Sequence, residues 1–195
     1  MWDERYAQEG FAYGTEPNDF LEAHASALPD GPVLCLSDGE GRNGVFLAQR
    51  GHAVTSVDLS EVGLAKARQL AAERGVAITT VVADLATWDL GEARWSGVVS
   101  ISAHLPPEVR ARVHGAVVRA LRPGGVLLLE AYAPSQLGRG TGGPPAREWL
   151  FDVEQVKGEL EGLDFELAHE TERDVVEGRY HTGRAEVTQI IARKP

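Results

Sequence analysis

Four apolar residues, Val33-Leu34-Cys35-Leu36, feed directly into Ser37-Asp38-Gly39-Glu40-Gly41-Arg42-Asn43-Gly44, and a helical pattern then runs to Arg50 and is closed by Gly51. A short strand that is apolar on both faces and passes through a glycine turn into a helix is the start of a crossover. The helix returns the chain so that the next strand pairs in parallel, and helices must cover both faces of the sheet. The following segments repeat the alternation. Strands are expected over 53–57, 78–82, 95–101 and 125–131. Between them, Ser60 can cap a helix whose apolar face is Leu64, Ala67 and Ala71 and which Gly75 ends, and Pro106 can open another that runs to about Leu121. A helix over 17–28 precedes the first strand and stops at Pro29-Asp30-Gly31-Pro32.

The alternation fails near the end. Segments 165–172 and 185–192 read as strands with roughly 12 residues between them, which suits a hairpin rather than a crossover. The expected fold class is therefore α/β: a doubly wound, mostly parallel sheet of about seven strands with an antiparallel C-terminal edge. At 195 residues and 43% hydrophobic content, one domain over 1–195 is expected, with residues 1–30 forming an N-terminal lid and helix.

Charge and composition exclude several partners. The net charge is -10, and the 19 lysines and arginines are scattered, so there is no basic stripe for nucleic acid or an anionic membrane. No apolar run approaches a membrane span of ~20 residues, and the acidic, aromatic start Met1-Trp2-Asp3-Glu4-Arg5 does not read as a secretory leader. The one cysteine, Cys35, has no partner, which fits a reducing cytoplasm. There is no metal-ligand spacing and no GxSxG elbow. The sequence leaves the oligomeric state open.

In such sheets, ligands bind at the carboxyl ends of the parallel strands. Three of these ends carry suitable residues. Gly39 and Gly41 permit a tight turn and a close approach to a ligand, Asp58 can accept two ribose hydroxyls, and Asp84 can accept from an adenine amino group beside the Leu85 amide. Gly39-x-Gly41-x-x-Gly44 also matches a dinucleotide fingerprint, since Asp58 follows Gly39 by 19 residues. Glu40 argues for a cationic group at the turn, because it would repel a pyrophosphate and attract a sulfonium or an amino group.

The turn Gly39-Glu40-Gly41-Arg42-Asn43, with Val57-Asp58-Leu59-Ser60, Ala83-Asp84-Leu85 and Leu121-Arg122-Pro123-Gly124-Gly125, resembles the motifs of class I S-adenosylmethionine-dependent methyltransferases. Trp2-Asp3-Glu4-Arg5-Tyr6 and Tyr13-Gly14-Thr15-Glu16-Pro17-Asn18 resemble more narrowly the small bacterial tellurite-resistance and thiopurine methyltransferase-like branch. The resemblance implies S-adenosylmethionine as cofactor, held by Gly39, Gly41, Asp58, Asp84 and Leu85, to which we add Ser37, Glu40, Asn43, Leu59 and Ser100. It also implies transfer of a methyl group to a small molecule, with a thiol or other soft nucleophile as a candidate acceptor. The sequence departs from the family at Ser37-Asp38, where glycine and a small residue, often cysteine, are usual; Asp38 adds a charge beside Glu40.

Candidate acceptor-side residues are His104 after the fourth strand, Tyr132 after the fifth, and His181 in the last hairpin. Trp2, Tyr6 and Tyr13 belong to the lid, and Gly138–Pro145 is a loop long enough to move. His24, His52, His114 and His169 lie away from the ligand side, and Trp88, Trp95 and Cys35 read as core. Two other readings remain open. One is a nicotinamide-dependent oxidoreductase, although no Tyr-x-x-x-Lys pair is present. The other is a catalytically weak S-adenosylmethionine-binding protein, motivated by Ser37-Asp38.

Overall fold

A computed structural model describes residues 2–195, so residue 1 of the expected lid lies outside the described residues. Two short helices, α1 (Trp2–Tyr6) and α2 (Asp19–His24), precede the sheet. Then follow β1 (Pro32–Leu36), α3 (Arg42–Gln49), β2 (Ala53–Asp58), α4 (Glu61–Glu73), β3 (Thr79–Val82), β4 (Trp95–Ile101), α5 (Pro107–Ala120) and β5 (Leu121–Tyr132). The chain ends with α6 (Val153–Glu159), β6 (Asp164–Glu177) and β7 (His181–Arg193).

The seven strands lie in the order β3-β2-β1-β4-β5-β7-β6. The first five pair in parallel, whereas β7 is antiparallel to both β5 and β6. The chain works outward from β1 to β3 and then jumps back to place β4 on the other side of β1. Strand order therefore reverses between β1 and β4, and the carboxyl ends at such a switch point are where ligands of open α/β sheets bind.

The apolar strands explain the layering. Successive residues of β1 face opposite sides: Val33 and Cys35 pack with Phe20, Leu21 and Leu47 from α2 and α3, while Leu34 and Leu36 pack with Val113 and Val117 of α5. All seven residues of β4 are buried, as a central parallel strand requires. Side chains cap three helices at their N-termini: Asn18 accepts from Leu21 N–H, Ser60 from Gly63 N–H and Asp152 from Gln155 N–H.

The structure differs from the sequence expectations in three places. The helix expected over 17–28 is shorter, α2 giving way to a 3₁₀ turn over Ala25–Ala27 ahead of Pro29. α6 was not expected; only Val156 and Leu160 anchor its short apolar face. The loop expected between the last two strands is instead ladder, paired from Asp164↔Arg193 to Glu177↔His181 and closed by the three residues 178–180. The inward positions there, Arg173, Val175 and Glu177, mix charge with a single apolar residue, so their alternation reads as polar loop.

Gly41 holds the turn against α4. Its φ is +83°, and a Cβ would stand 2.5 Å from Ala67 Cβ and 2.9 Å from Ala67 Cα. Gly41→Ala combines left-handed backbone strain with overpacking against a helix backbone. We expect it to lower unfolding free energy by about 2–4 kcal/mol, measured as a drop in the denaturant midpoint at constant slope.

Candidate active site

The turn after β1 carries its strain on a non-glycine residue. Ser37 has φ +50°, a left-handed conformation that disfavours any side chain, at the position where the resembling family has glycine. Asp38 turns away from the ligand side. Its carboxylate accepts from Ser56 Oγ at 2.6 Å and from Gly44 N–H at 3.3 Å, beneath the first turn of α3. This corrects the expectation that Asp38 places a charge beside Glu40. Burial pushes the Asp38 carboxyl up to about 7, against the lowering effect of the Ser56 and Gly44 hydrogen bonds.

Asp58 ends β2 facing the turn, accepting from Gly39 N–H and from Ser60 N–H, each at 2.9 Å. Each oxygen keeps a further lone pair, so two hydroxyls can still be accepted. Burial raises its pKa against those backbone hydrogen bonds. Next to it Leu59 is 60% exposed and Val82, at the end of β3, is 50% exposed, giving an apolar shelf. Asp84 is exposed and caps a turn through Ala86 N–H at 2.8 Å; Leu85 is buried. Ser100 is buried beside Leu36 at the last shared register of β1 and β4.

Two residues assigned to the cofactor from sequence serve other groups in the structure. Glu40 accepts from Ala12 N–H at 2.7 Å and from Lys66 Nζ at 3.0 Å, so both its oxygens hold the N-terminal segment to α4. Asn43 accepts from Asn18 N–H at 3.0 Å. The N-terminal segment covers the turn. Asp3 takes a short hydrogen bond from Ser60 Oγ, and Tyr6 lies across Gly39 and Gly63, where a Cβ would stand 2.6 Å from the Tyr6 hydroxyl and 2.9 Å from Tyr6 Cδ2 respectively.

These residues fit an adenosine-bearing cofactor. Asp58 can accept a diol, the Leu59–Val82 shelf can take a flat base, and Asp84 supplies an acceptor at the next strand end, while the Cβ-less face of Gly39 is taken up by Tyr6.

Toward the ends of β5 and β6 lies a buried polar network that the sequence reading missed. Asn18 Nδ2 donates to Glu130 at 2.7 Å and to Glu177 at 2.8 Å. Arg173 donates to Glu130 and Glu177 at 2.7 and 2.9 Å, Arg42 to Glu177 at 2.7 Å, and Gln189 to Glu130 at 2.6 Å. Burial alone would raise the Glu177 carboxyl, but His181, Arg42, Arg173 and Asn18 hold it well below the usual range. The signals were present: Asn18 and Arg42 sit inside the quoted motifs, and Arg173 and Glu177 share a strand face. Ser102, Glu130, Tyr132, Arg173, Val175 and Glu177 line a gap beside the network that is too narrow to hold a water molecule.

The three acceptor-side candidates are brought together there, in different states. His104 Nδ1 lies 3.0 Å from Trp149 O, and Tyr132 N–H donates to its Nε2 at 3.4 Å. These partners assign the proton to Nδ1. Burial lowers its pKa to about 4, so His104 is neutral with both nitrogens engaged. Tyr132 stacks on His104 at 5.6 Å and meets the His181 ring edge-on at 5.2 Å. The Tyr132 hydroxyl and His181 Nδ1 are buried without a hydrogen-bond partner; Nδ1 stands 3.6 Å from Glu177, just beyond bonding reach. The expected mobile loop packs on this pair: a Cβ at Gly142 would fall 2.9 Å from His181 Cδ2. Ring contacts run unbroken from Trp2 through Tyr6, Tyr13 and His181 to Tyr132 and His104.

Comparison with known proteins bears on the fold. Residues 33–125 match the model of a family described as a methyltransferase domain. A curated relative, the 2-heptyl-1-hydroxyquinolin-4(1H)-one methyltransferase of Mycobacteroides abscessus, is 27% identical over 121 residues, which are 60% of this chain and 53% of that protein. The chain thus spans about half the length of that curated relative. Among solved structures, a protein described by the conversion of a disulfide bond into a thioacetal group during echinomycin biosynthesis superposes with TM-score 0.75 at 22% identity, covering 99% of this chain and 90% of that one. TehB from Haemophilus influenzae superposes with TM-score 0.74 at 19% identity, covering 100% of this chain and 66% of that one. Residues 33–125 thus resemble a methyltransferase domain, and the solved structures share its fold; S-adenosylmethionine is the cofactor that this similarity implies.

Asp38 gives a pH signature. Its carboxyl titrates near 7 when folded and at 3.8 when free, so unfolding between about pH 4 and 7 releases a proton and stability falls as pH rises through that window. Asp38→Asn lacks this loss. We expect its melting temperature to gain on wild type by on the order of 5 °C between pH 5 and pH 8. A difference that is constant with pH would contradict the burial of this carboxyl.

Proposed function

We propose that this chain transfers a methyl group from S-adenosylmethionine to a small-molecule acceptor. The observation that carries the reading is the set of carboxyl strand ends at the reversal of strand order, with Gly39, Asp58, Leu59 and Asp84 after β1–β3 and Tyr132, whose buried hydroxyl has no partner among the described residues, at the end of β5. The curated relative methylates a small molecule, a quinolone, and we carry over from it only the size of the acceptor.

Bound S-adenosylmethionine supplies a methyl group activated on a sulfonium sulfur. The protein's part is binding, orientation and exclusion of water. Asp58 accepts the ribose hydroxyls, Gly39 and Gly41 shape the turn, and the Leu59–Val82 shelf with Asp84 takes the adenine. Ser37, Leu85 and Ser100 complete the strand-end wall around them, while Glu40 and Asn43 contribute by anchoring the segment that covers it. Tyr6 excludes water over Gly39. Tyr132 and His181 receive the acceptor, and His104 fixes the Tyr132 backbone and ring. A thiol or other soft nucleophile is the candidate acceptor, since it needs no counter-charge in the site. The turned-away Asp38 favours this reading over a disabled cofactor site. We place the protein in the reducing cytoplasm, in keeping with a lone, buried Cys35; among the described residues no helix is long and apolar enough to cross a membrane.

Titration calorimetry with S-adenosylhomocysteine and with NAD tests the reading. We expect micromolar binding of S-adenosylhomocysteine, no NAD binding, and a loss of about ten- to a hundredfold in Asp58→Ala, the equivalent of roughly 1.5–3 kcal/mol for a hydrogen-bonded charged group. NAD binding without S-adenosylhomocysteine binding would replace it with the oxidoreductase reading.

A further inference from the structure

We propose that Glu177 and His181 form a carboxylate–imidazole pair in which Glu177 is a positioning residue, His181 Nε2 is the base, and the acceptor arrives as a neutral hydroxyl or thiol. This rests on the methyltransferase reading and extends it to the chemical class of the acceptor.

The pair is built into the hairpin. Glu177 and His181 face each other at the last register of the β6–β7 ladder, with Nδ1 3.6 Å from Glu177 Oε2. The carboxylate cannot swing away. Its oxygens are fixed by Asn18 at 2.8 Å, Arg173 at 2.9 Å and Arg42 at 2.7 Å. Tyr13 at 4.6 Å and Tyr132 at 5.2 Å, centroid to centroid, hold the imidazole ring on two sides. A carboxylate facing Nδ1 favours the proton on that nitrogen. The lone pair is then on Nε2, which has no hydrogen-bond partner among the described residues. A nucleophile's base oriented by a third group is the general form of this arrangement, and such contacts commonly tighten when substrate binds.

The charges decide the acceptor class. The groups facing His181 are Glu177 from β6, Tyr132 from β5 and Tyr13 from the N-terminal segment; Arg42 and Arg173 stand behind Glu177, and His104 stands behind Tyr132. Both guanidiniums are committed to carboxylates: Arg42 to Glu177, and Arg173 to Glu130, Glu177 and Asp19. Arg5, the other guanidinium nearby, donates to the Tyr13 hydroxyl at 2.7 Å and lies over the Tyr180 ring, so among the described residues no cation is in contact with the imidazole to meet a carboxylate or phosphate acceptor. A neutral O–H or S–H acid meets no such deficit. Its proton passes to His181 Nε2, the electron pair of the broken bond stays on oxygen or sulfur, and the resulting imidazolium is balanced by Glu177.

Two measurements test this. Nitrogen NMR of protein labelled in its histidine rings needs no acceptor: at pH 7.5 His181 should carry its proton on Nδ1 in wild type and shift toward Nε2–H in Glu177→Gln. Should Glu177→Gln fail to fold, Glu177→Asp, which retracts the carboxylate but keeps its charge, should give a mixture of the two tautomers. An Nε2–H tautomer in wild type overturns the proposal. The second measurement is methyl transfer to benzyl mercaptan, which is protonated near neutrality, and to thiophenol, which is largely ionised. His181→Gln should lose about a hundredfold or more with benzyl mercaptan and only a few-fold with thiophenol. Equal losses with both overturn the base role while S-adenosylhomocysteine binding still stands; absence of that binding in wild type overturns the methyltransferase reading instead.

Discussion

Two carboxylates and two guanidiniums meet out of water at the heart of this molecule, and the rest of the site depends on their staying paired. Glu130 lies near the end of β5, Glu177 ends β6, Arg42 opens α3 and Arg173 lies along β6; the fully buried Asn18 bridges both carboxylates. Taking such charges from water is expensive, and the geometry repays it only while every member is satisfied. Removing one partner of a buried pair leaves an uncompensated charge, typically a loss of 3–5 kcal/mol. The network therefore does not measure stability so much as fix relative position. It ties the glycine turn, the N-terminal segment and the antiparallel hairpin into one arrangement.

That fixing has a functional consequence. The carboxyl ends of β1, β2 and β3 offer one half of a site, and the ends of β5 and β6 the other. Neither half is useful unless its distance from the other is held, because methyl transfer depends on alignment of the reacting atoms. Asn18 connects them directly, through Asn43 in the turn and Glu177 in the hairpin. The covering segment is secured separately. Glu40 and Lys66 hold residues 8–12, and Tyr6 closes over Gly39. Glu40, charged and inside the turn, thus acts on the cover as much as on any ligand.

The sheet was legible in the sequence because apolar runs and glycine turns are local signals, and they place β1 to β5 within a few residues. The antiparallel edge was legible from spacing alone. The pairing of 173–177 with 181–185 was hidden because inward positions carry charge, and a strand face that buries Arg173 and Glu177 reads as polar. Asp58, Gly39 and Gly41 stand at strand ends, where the sequence placed them. The true settings of Asp38 and Glu40 could not be read from it, since both depend on residues far along the chain: Ser56 for one, Ala12 and Lys66 for the other. His104 likewise stood at the right strand end, yet only the fold reveals Trp149 O and Tyr132 N–H on its two nitrogens.

The central claim is that the carboxyl strand ends join a nucleoside cradle on β1–β3 to an acceptor pocket on β5–β6. A crystal structure with S-adenosylhomocysteine tests it most directly. The account predicts ribose hydroxyls on Asp58, the adenine on the Leu59–Val82 shelf beside Asp84, and the sulfur facing Tyr132 and His181. A nucleoside bound elsewhere, or in this cradle with its sulfur turned away from Tyr132 and His181, would contradict it.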